Sequence, residues 1–171
     1  MFKLKNLTYI LLFILPTFGS FAKDEIKVEF GKFTVDNYNL SYTCAGSGAP
    51  NVFLDPPSGI RAEDAFAKIF LKVARTNKIC FYERLGFGTS DAPPEGLNQT
   101  VKDYSHELDQ LIKLKSDSEK LVLVGYSFGG FVMRYYASKK PERVDSILLI
   151  DAAHENWIQD MKVILSMPKL I

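Results

Sequence analysis

Hydrophobic residues recur along this chain at two spacings, one suited to strands and one to helices. Ile26, Val28, Phe30, Phe33 and Val35 read as one apolar side of a half-buried strand over 26–35. Asp36-Asn37-Tyr38-Asn39 supplies turn chemistry, and 40–44 returns as a second strand, making a hairpin. A Gly/Ser/Pro loop follows, and a short apolar strand over 51–54 ends at Asp55-Pro56-Pro57-Ser58-Gly59. Phe66, Ile69, Phe70 and Val73 stand at helical spacing and predict one amphipathic helix over 62–75. The next strand covers 78–82. Thr100, with Asp103 three residues on, predicts the start of a helix whose apolar face is Val101, Tyr104, Leu108, Leu111 and Ile112. His106 lies about 200° around that helix from Tyr104 and reads as a solvated surface side chain.

The continuous apolar run over 121–125 reads as a buried strand. Phe131, Val132, Tyr135 and Tyr136 then follow helical spacing until Lys139-Lys140-Pro141, a basic pair suited to a helix C-terminus and a proline that ends it. A second buried-type strand over 144–150 precedes Asp151-Ala152-Ala153-His154-Glu155, and a further helix is expected to begin within 156–165.

Composition adds a compartment. The 171 residues are 47% hydrophobic and 24% charged, the balance of one soluble globular domain, and the net charge of +1 comes without a basic cluster, which argues against a nucleic-acid partner. Residues 1–22 stand apart: Lys3 and Lys5, an apolar run over 7–18 broken by Pro16, then Ser20-Phe21-Ala22. That pattern describes a secretory signal peptide cleaved after Ala22, leaving 23–171 as the mature domain. A membrane anchor is the alternative, but the run is short for a span. With no cysteine behind it, a lipid anchor is not expected either, so the product is read as exported, periplasmic or secreted, with no stable membrane attachment.

Chemistry concentrates in 121–136. A strand runs into Gly125-Tyr126-Ser127-Phe128-Gly129-Gly130, and a helical pattern begins at once. A serine at the apex of a tight strand-to-helix turn stands clear of the backbone, and the flanking Gly125 and Gly129 let strand and helix approach closely. The Phe128 amide, at the helix start, points at the same space. An ordinary glycine-rich turn is the competing reading, and the strand before and helix after weigh against it.

GYSFGG over 125–130, YERLGFGTSD over 82–91 and RVDSILLIDAAHE over 143–155 together resemble the α/β-hydrolase family, and the resemblance runs from about residue 28 to about residue 155. It implies an α/β fold with a doubly wound, mostly parallel sheet and an N-terminal antiparallel hairpin. It also implies a nucleophilic Ser127 after the fifth strand and a triad acid and histidine later in the chain. In this family a second oxyanion donor comes from the turn after the third strand. Pro56 and Pro57 carry no amide proton, so Ser58 is the nearest candidate, with a purely structural turn as the alternative. Relatives usually carry Tyr-Asp-Arg where this chain has Tyr82-Glu83-Arg84, a motif read as structural. If the family's strand order holds, Cys44 and Cys80 lie on neighbouring strands, and an exported protein can join them in a disulfide; two isolated buried thiols are the other option.

The triad acid and histidine are not identified. Asp151 and His154 are weak candidates, a surface loop or helix cap being the favoured role for both. The resemblance therefore suggests the N-terminal part of a longer hydrolase, its C-terminal strands missing and the 171 residues largely inactive alone, since 144–150 would otherwise be an exposed apolar edge. A complete, non-catalytic binding or scaffold protein is the rival. The expected substrate is a small ester or related acyl compound, with no metal or organic cofactor. Ser127 argues against the epoxide and haloalkane chemistries, whose members usually carry aspartate at the elbow. Substrate identity and oligomeric state are not encoded in these patterns.

Overall fold

A computed structural model describes residues 25–154 of the chain. Strand β1 (Val28–Val35) turns through Asp36 and Asn37 into β2 (Tyr38–Ala45), and the two pair antiparallel with Val35 opposite Tyr38. Asp36 takes the left-handed conformation, φ 50°, that so short a hairpin turn demands. Phe33 and Val35 are buried whereas Phe30 is 74% exposed. The apolar side expected for this strand is thereby corrected: the step from 30 to 33 is odd, and successive side chains on a strand alternate faces.

Among the described residues the sheet has six strands, in the order β1-β2-β4-β3-β5-β6. Strand β2 pairs antiparallel with β4 (Ile79–Tyr82); β4, β3 (Asn51–Asp55), β5 (Leu121–Tyr126) and β6 (Val144–Ile150) are parallel. Every residue of β3 and β4 is buried, as expected for parallel strands covered on both faces. Cys44 sits directly opposite Cys80 in the β2–β4 register, and the two form a buried disulfide.

Helices α3 (Val101–Lys115) and α4 (Gly129–Lys139) cover one face, packing with Phe53, Leu121 and Leu123. The other face, with Leu54, Phe81 and Val124, is covered through Phe66 and Phe70. There the single helix expected over 62–75 is two short pieces, α1 (Ala62–Phe66) and α2 (Phe70–Val73). The amide of Ile69 bonds back only three residues, to Phe66, at 3.0 Å, so the chain tightens between them. Apolar spacing could not reveal the break, because Phe66 and Phe70 are buried on either side of it.

Thr100 opens α3 as expected, its amide and hydroxyl both donating to Asp103. His106 is exposed, with Asp36 3.8 Å away. On α4 the buried residues beyond its two leading glycines are Val132, Met133 and Tyr136, while Phe131 and Tyr135 are only half-buried, so the core-facing side is rotated from the expected one. Among the described residues β6 is the outer strand of the sheet, and Leu148 and Leu149 are 55% and 41% exposed, the apolar edge expected of this strand when nothing pairs with it.

Candidate active site

Strand β5 ends at Tyr126 and α4 begins at Gly129, so Ser127 and Phe128 make the whole connection. Ser127 sits at φ 49°, a strained conformation for a residue with a Cβ. Its backbone is held on both sides: the amide donates to the carbonyl of Ile150 at 2.9 Å, and the carbonyl accepts from Gly130 and Ala153, each at 3.0 Å. The segment leaving β6 thus straps the bend in place. Two glycines make so sharp a turn possible. A Cβ at Gly125 would come within 2.6 Å of the Gly129 carbonyl oxygen, and one at Gly129 within 2.1 Å of the Asp55 carbonyl oxygen.

Ser127 opens into a cleft of about 500 Å³ at the carboxyl ends of the parallel strands, where α/β sheets place their ligands. Ser58, Phe128, Phe131, Asp151 and His154 share its lining. The structure therefore gathers Ser127, Phe128, Ser58 and the weak candidates Asp151 and His154 around one space, and leaves His106 elsewhere, beside Asp36. Asp151 leaves β6 at φ 42°, and both it and His154 are exposed. Arg134 of α4 donates to the Ala153 carbonyl at 2.8 Å, fixing that wall.

Beneath the cleft lies a buried polar group. Asp55, the last residue of β3, is fully buried, and Arg84 bonds its Oδ1 at 2.9 Å. Burial pushes the Asp55 carboxyl up to about 6, against the opposing pull of Arg84. Glu107 is likewise raised by burial, although Gln99 (2.5 Å) and the Tyr38 hydroxyl (2.9 Å) donate to it. Glu83 accepts the amides of Ala62 and Glu63 at 2.8 and 2.9 Å and so caps α1 from a distant segment, where Arg61 provides no side-chain cap. The longer arm of glutamate spans that gap, in agreement with the structural reading of Tyr82-Glu83-Arg84.

Asp55, Arg84 and Glu107 were missed as a set in the sequence patterns. The available signals were a charged pair directly after an apolar strand, and Glu107 at helical spacing from Tyr104 and Leu111 on an otherwise apolar face.

With the elbow, the sheet order and the cleft in view, the class is defined: this chain belongs to the alpha/beta hydrolase fold family, which residues 62–168 match. Among characterised relatives it is similar to the proline iminopeptidase of Saccharolobus solfataricus, 36% identical over 61 residues, a stretch that covers 36% of this chain and 20% of that protein. Among solved structures it is similar to VinJ, with a TM-score of 0.69 at 24% identity, covering 82% of this chain and 50% of that one. It also resembles the 2-hydroxy-6-oxo-6-phenylhexa-2,4-dienoate hydrolase of Rhodococcus sp. strain RHA1, with a TM-score of 0.62 at 23% identity over 75% of this chain and 48% of that one. The chain spans less than half the length of the curated relatives it matches.

Proposed function

We propose that the protein is an exported serine hydrolase acting on a small ester or related acyl substrate, with Ser127 as nucleophile. The observation that carries this reading is the strained φ of Ser127 at the β5–α4 bend, opening into the cleft beside a helix N-terminus. In the proposed reaction the Ser127 hydroxyl attacks the carbonyl carbon and loses its proton to a base. The carbonyl oxygen becomes an oxyanion held by the amides of Phe128 and Ser58; on collapse the base returns its proton to the leaving oxygen, the C–O bond breaks to release the alcohol, and an acyl-serine is left for water to cleave. A buried disulfide fits an oxidising compartment and supports export; the proposed signal peptide over 1–22 lies outside the described residues.

Asp151 and His154 occupy the same cleft but come from one four-residue stretch, 151–154, whereas an orienting acid and its base usually approach from separate segments. We therefore expect these 171 residues alone to turn over little ester. An active-site phosphonate applied to the protein expressed from its whole coding frame tests the assignment. A Ser127 adduct, absent in Ser127→Ala, is the expected result, and labelling that persists in the variant removes Ser127 from its role.

A second reading, a non-catalytic binding protein on the same fold, is favoured by one observation: two prolines stand where an oxyanion amide is needed. It requires a phosphonate-inert Ser127 in the whole protein.

A further inference from the structure

Arg84 is buried under the cleft and touches both walls of the proposed oxyanion site. Its Nη2 donates to Asp55 Oδ1 at 2.9 Å and to the Pro56 carbonyl at 3.0 Å, and its Nη1 to the Pro57 carbonyl at 3.3 Å. The guanidinium also lies against two rings that pack edge to face on each other, 4.8 Å from the centroid of Tyr104 and 5.0 Å from that of Phe128. Tyr104 is itself held, its carbonyl accepting the Tyr82 hydroxyl at 3.2 Å.

Peptide geometry turns these contacts into an orientation. Each proline has its φ fixed by the ring, so the soft torsions left in Pro56-Pro57 are the two ψ angles. Each ψ sets where the following peptide points, and Arg84 grips the carbonyl of both. The Pro57 carbonyl and the Ser58 amide belong to one planar trans peptide, so they point in opposite directions. With the Pro57 carbonyl bonded to the buried Arg84, the Ser58 N–H points away from Arg84, and Ser58 itself lines the cleft.

We propose that Arg84 is the positioning residue of the oxyanion hole: it orients the Ser58 amide through the Pro57 carbonyl and sets its separation from the Phe128 amide by packing on the Phe128 ring. The inference rests on the reading of Ser127 as nucleophile. Lysine cannot replace arginine here, because one ammonium cannot serve three acceptors in a planar fork while packing against both rings.

The test uses the protein expressed from its whole coding frame, with a short p-nitrophenyl ester as substrate and an alkyl boronic acid as a mimic of the tetrahedral intermediate. Arg84→Lys keeps the charge opposite Asp55. It should lower kcat by about 10- to 100-fold with KM within about 3-fold of the parent, and weaken the boronate by a factor similar to the fall in kcat. A role confined to holding the fold together would not separate kcat from KM in this way. Should Arg84→Lys fail to fold, Tyr104→Leu removes one stacking face and spares the ion pair; a kcat reduced about 3- to 10-fold at unchanged KM supports the inference. An unchanged kcat in the folded variant, or a loss carried by KM alone, overturns it. Turnover that survives Ser127→Ala sinks the nucleophile reading first and takes the inference with it, so the two failures are told apart by that variant.

Discussion

Replacing Gly129 by alanine tests how tightly the bend is built. A Cβ there would lie 2.1 Å from the Asp55 carbonyl oxygen, 2.7 Å from its carbon and 3.0 Å from the Pro56 carbonyl oxygen, whereas ordinary contact begins at 3.4 Å. All three atoms are backbone, so no side chain can rotate out of the way. The start of α4 must instead retreat from the end of β3 by more than about 1 Å, a shift that well-packed interiors resist at about 1–3 kcal/mol. The same retreat would part Phe128 from Ser58, and a displacement of about 1 Å at a reacting centre costs about 100-fold in rate. Gly96→Ala is the control: nothing lies within 4 Å of its added Cβ, and its φ of 75° adds a backbone strain that Gly129, whose φ is not in that region, does not carry. With both variants made in the protein expressed from its whole coding frame, urea unfolding and ester turnover should show Gly129→Ala losing more stability than the control, and nearly all activity. Equal losses in the two variants, or a Gly129→Ala protein with full turnover, would refute the close packing of β3 against the bend.

Removing the Cys44–Cys80 disulfide with a Cys44→Ala/Cys80→Ala pair should lower unfolding stability by ~4 kcal/mol, from the entropy of a loop closed over a separation of 36 residues. Urea titration checks this, and an unchanged midpoint contradicts it. Stability should also depend on pH through Asp55. Its folded pKa, about 6, lies above its ordinary 3.8, so it binds its proton more tightly when folded. Its contribution is therefore fully present below about pH 4 and is lost as pH rises through 6. Glu83 and Glu107, also raised by burial, act in the same direction. Asp91, Asp103 and Asp117, whose pKa values are lowered, act in the opposite one, so the clean measurement is parent against Asp55→Asn. The parent should lose on the order of 2–3 kcal/mol relative to that variant between pH 4 and pH 7. A difference that is flat or grows with pH is the contrary result.

The bend was legible in the sequence because glycine and serine at 125, 127 and 129 are imposed by backbone approach, which leaves few alternatives in residue type. The hairpin, the capped start of α3 and the strands flanking Ser127 were legible for a similar reason: local turn chemistry and apolar runs mark them directly. Where packing decides, the patterns misled. Apolar spacing ran unbroken across the gap between α1 and α2, and Phe30 was grouped with Phe33 across an odd step. Least legible was the polar group under the cleft. Asp55, Arg84 and Glu107 come from β3, the loop after β4 and α3, and only the folded sheet brings them together. The disulfide needed the strand order as well as two cysteines.

The claim on which the functional reading depends is that Ser127 reacts as a nucleophile. Mass spectrometry of the whole protein after exposure to a fluorophosphonate measures this directly. A single covalent adduct mapped to Ser127, and no adduct on Ser127→Ala, is the outcome predicted here; a folded protein left unmodified, or one modified elsewhere, would contradict it.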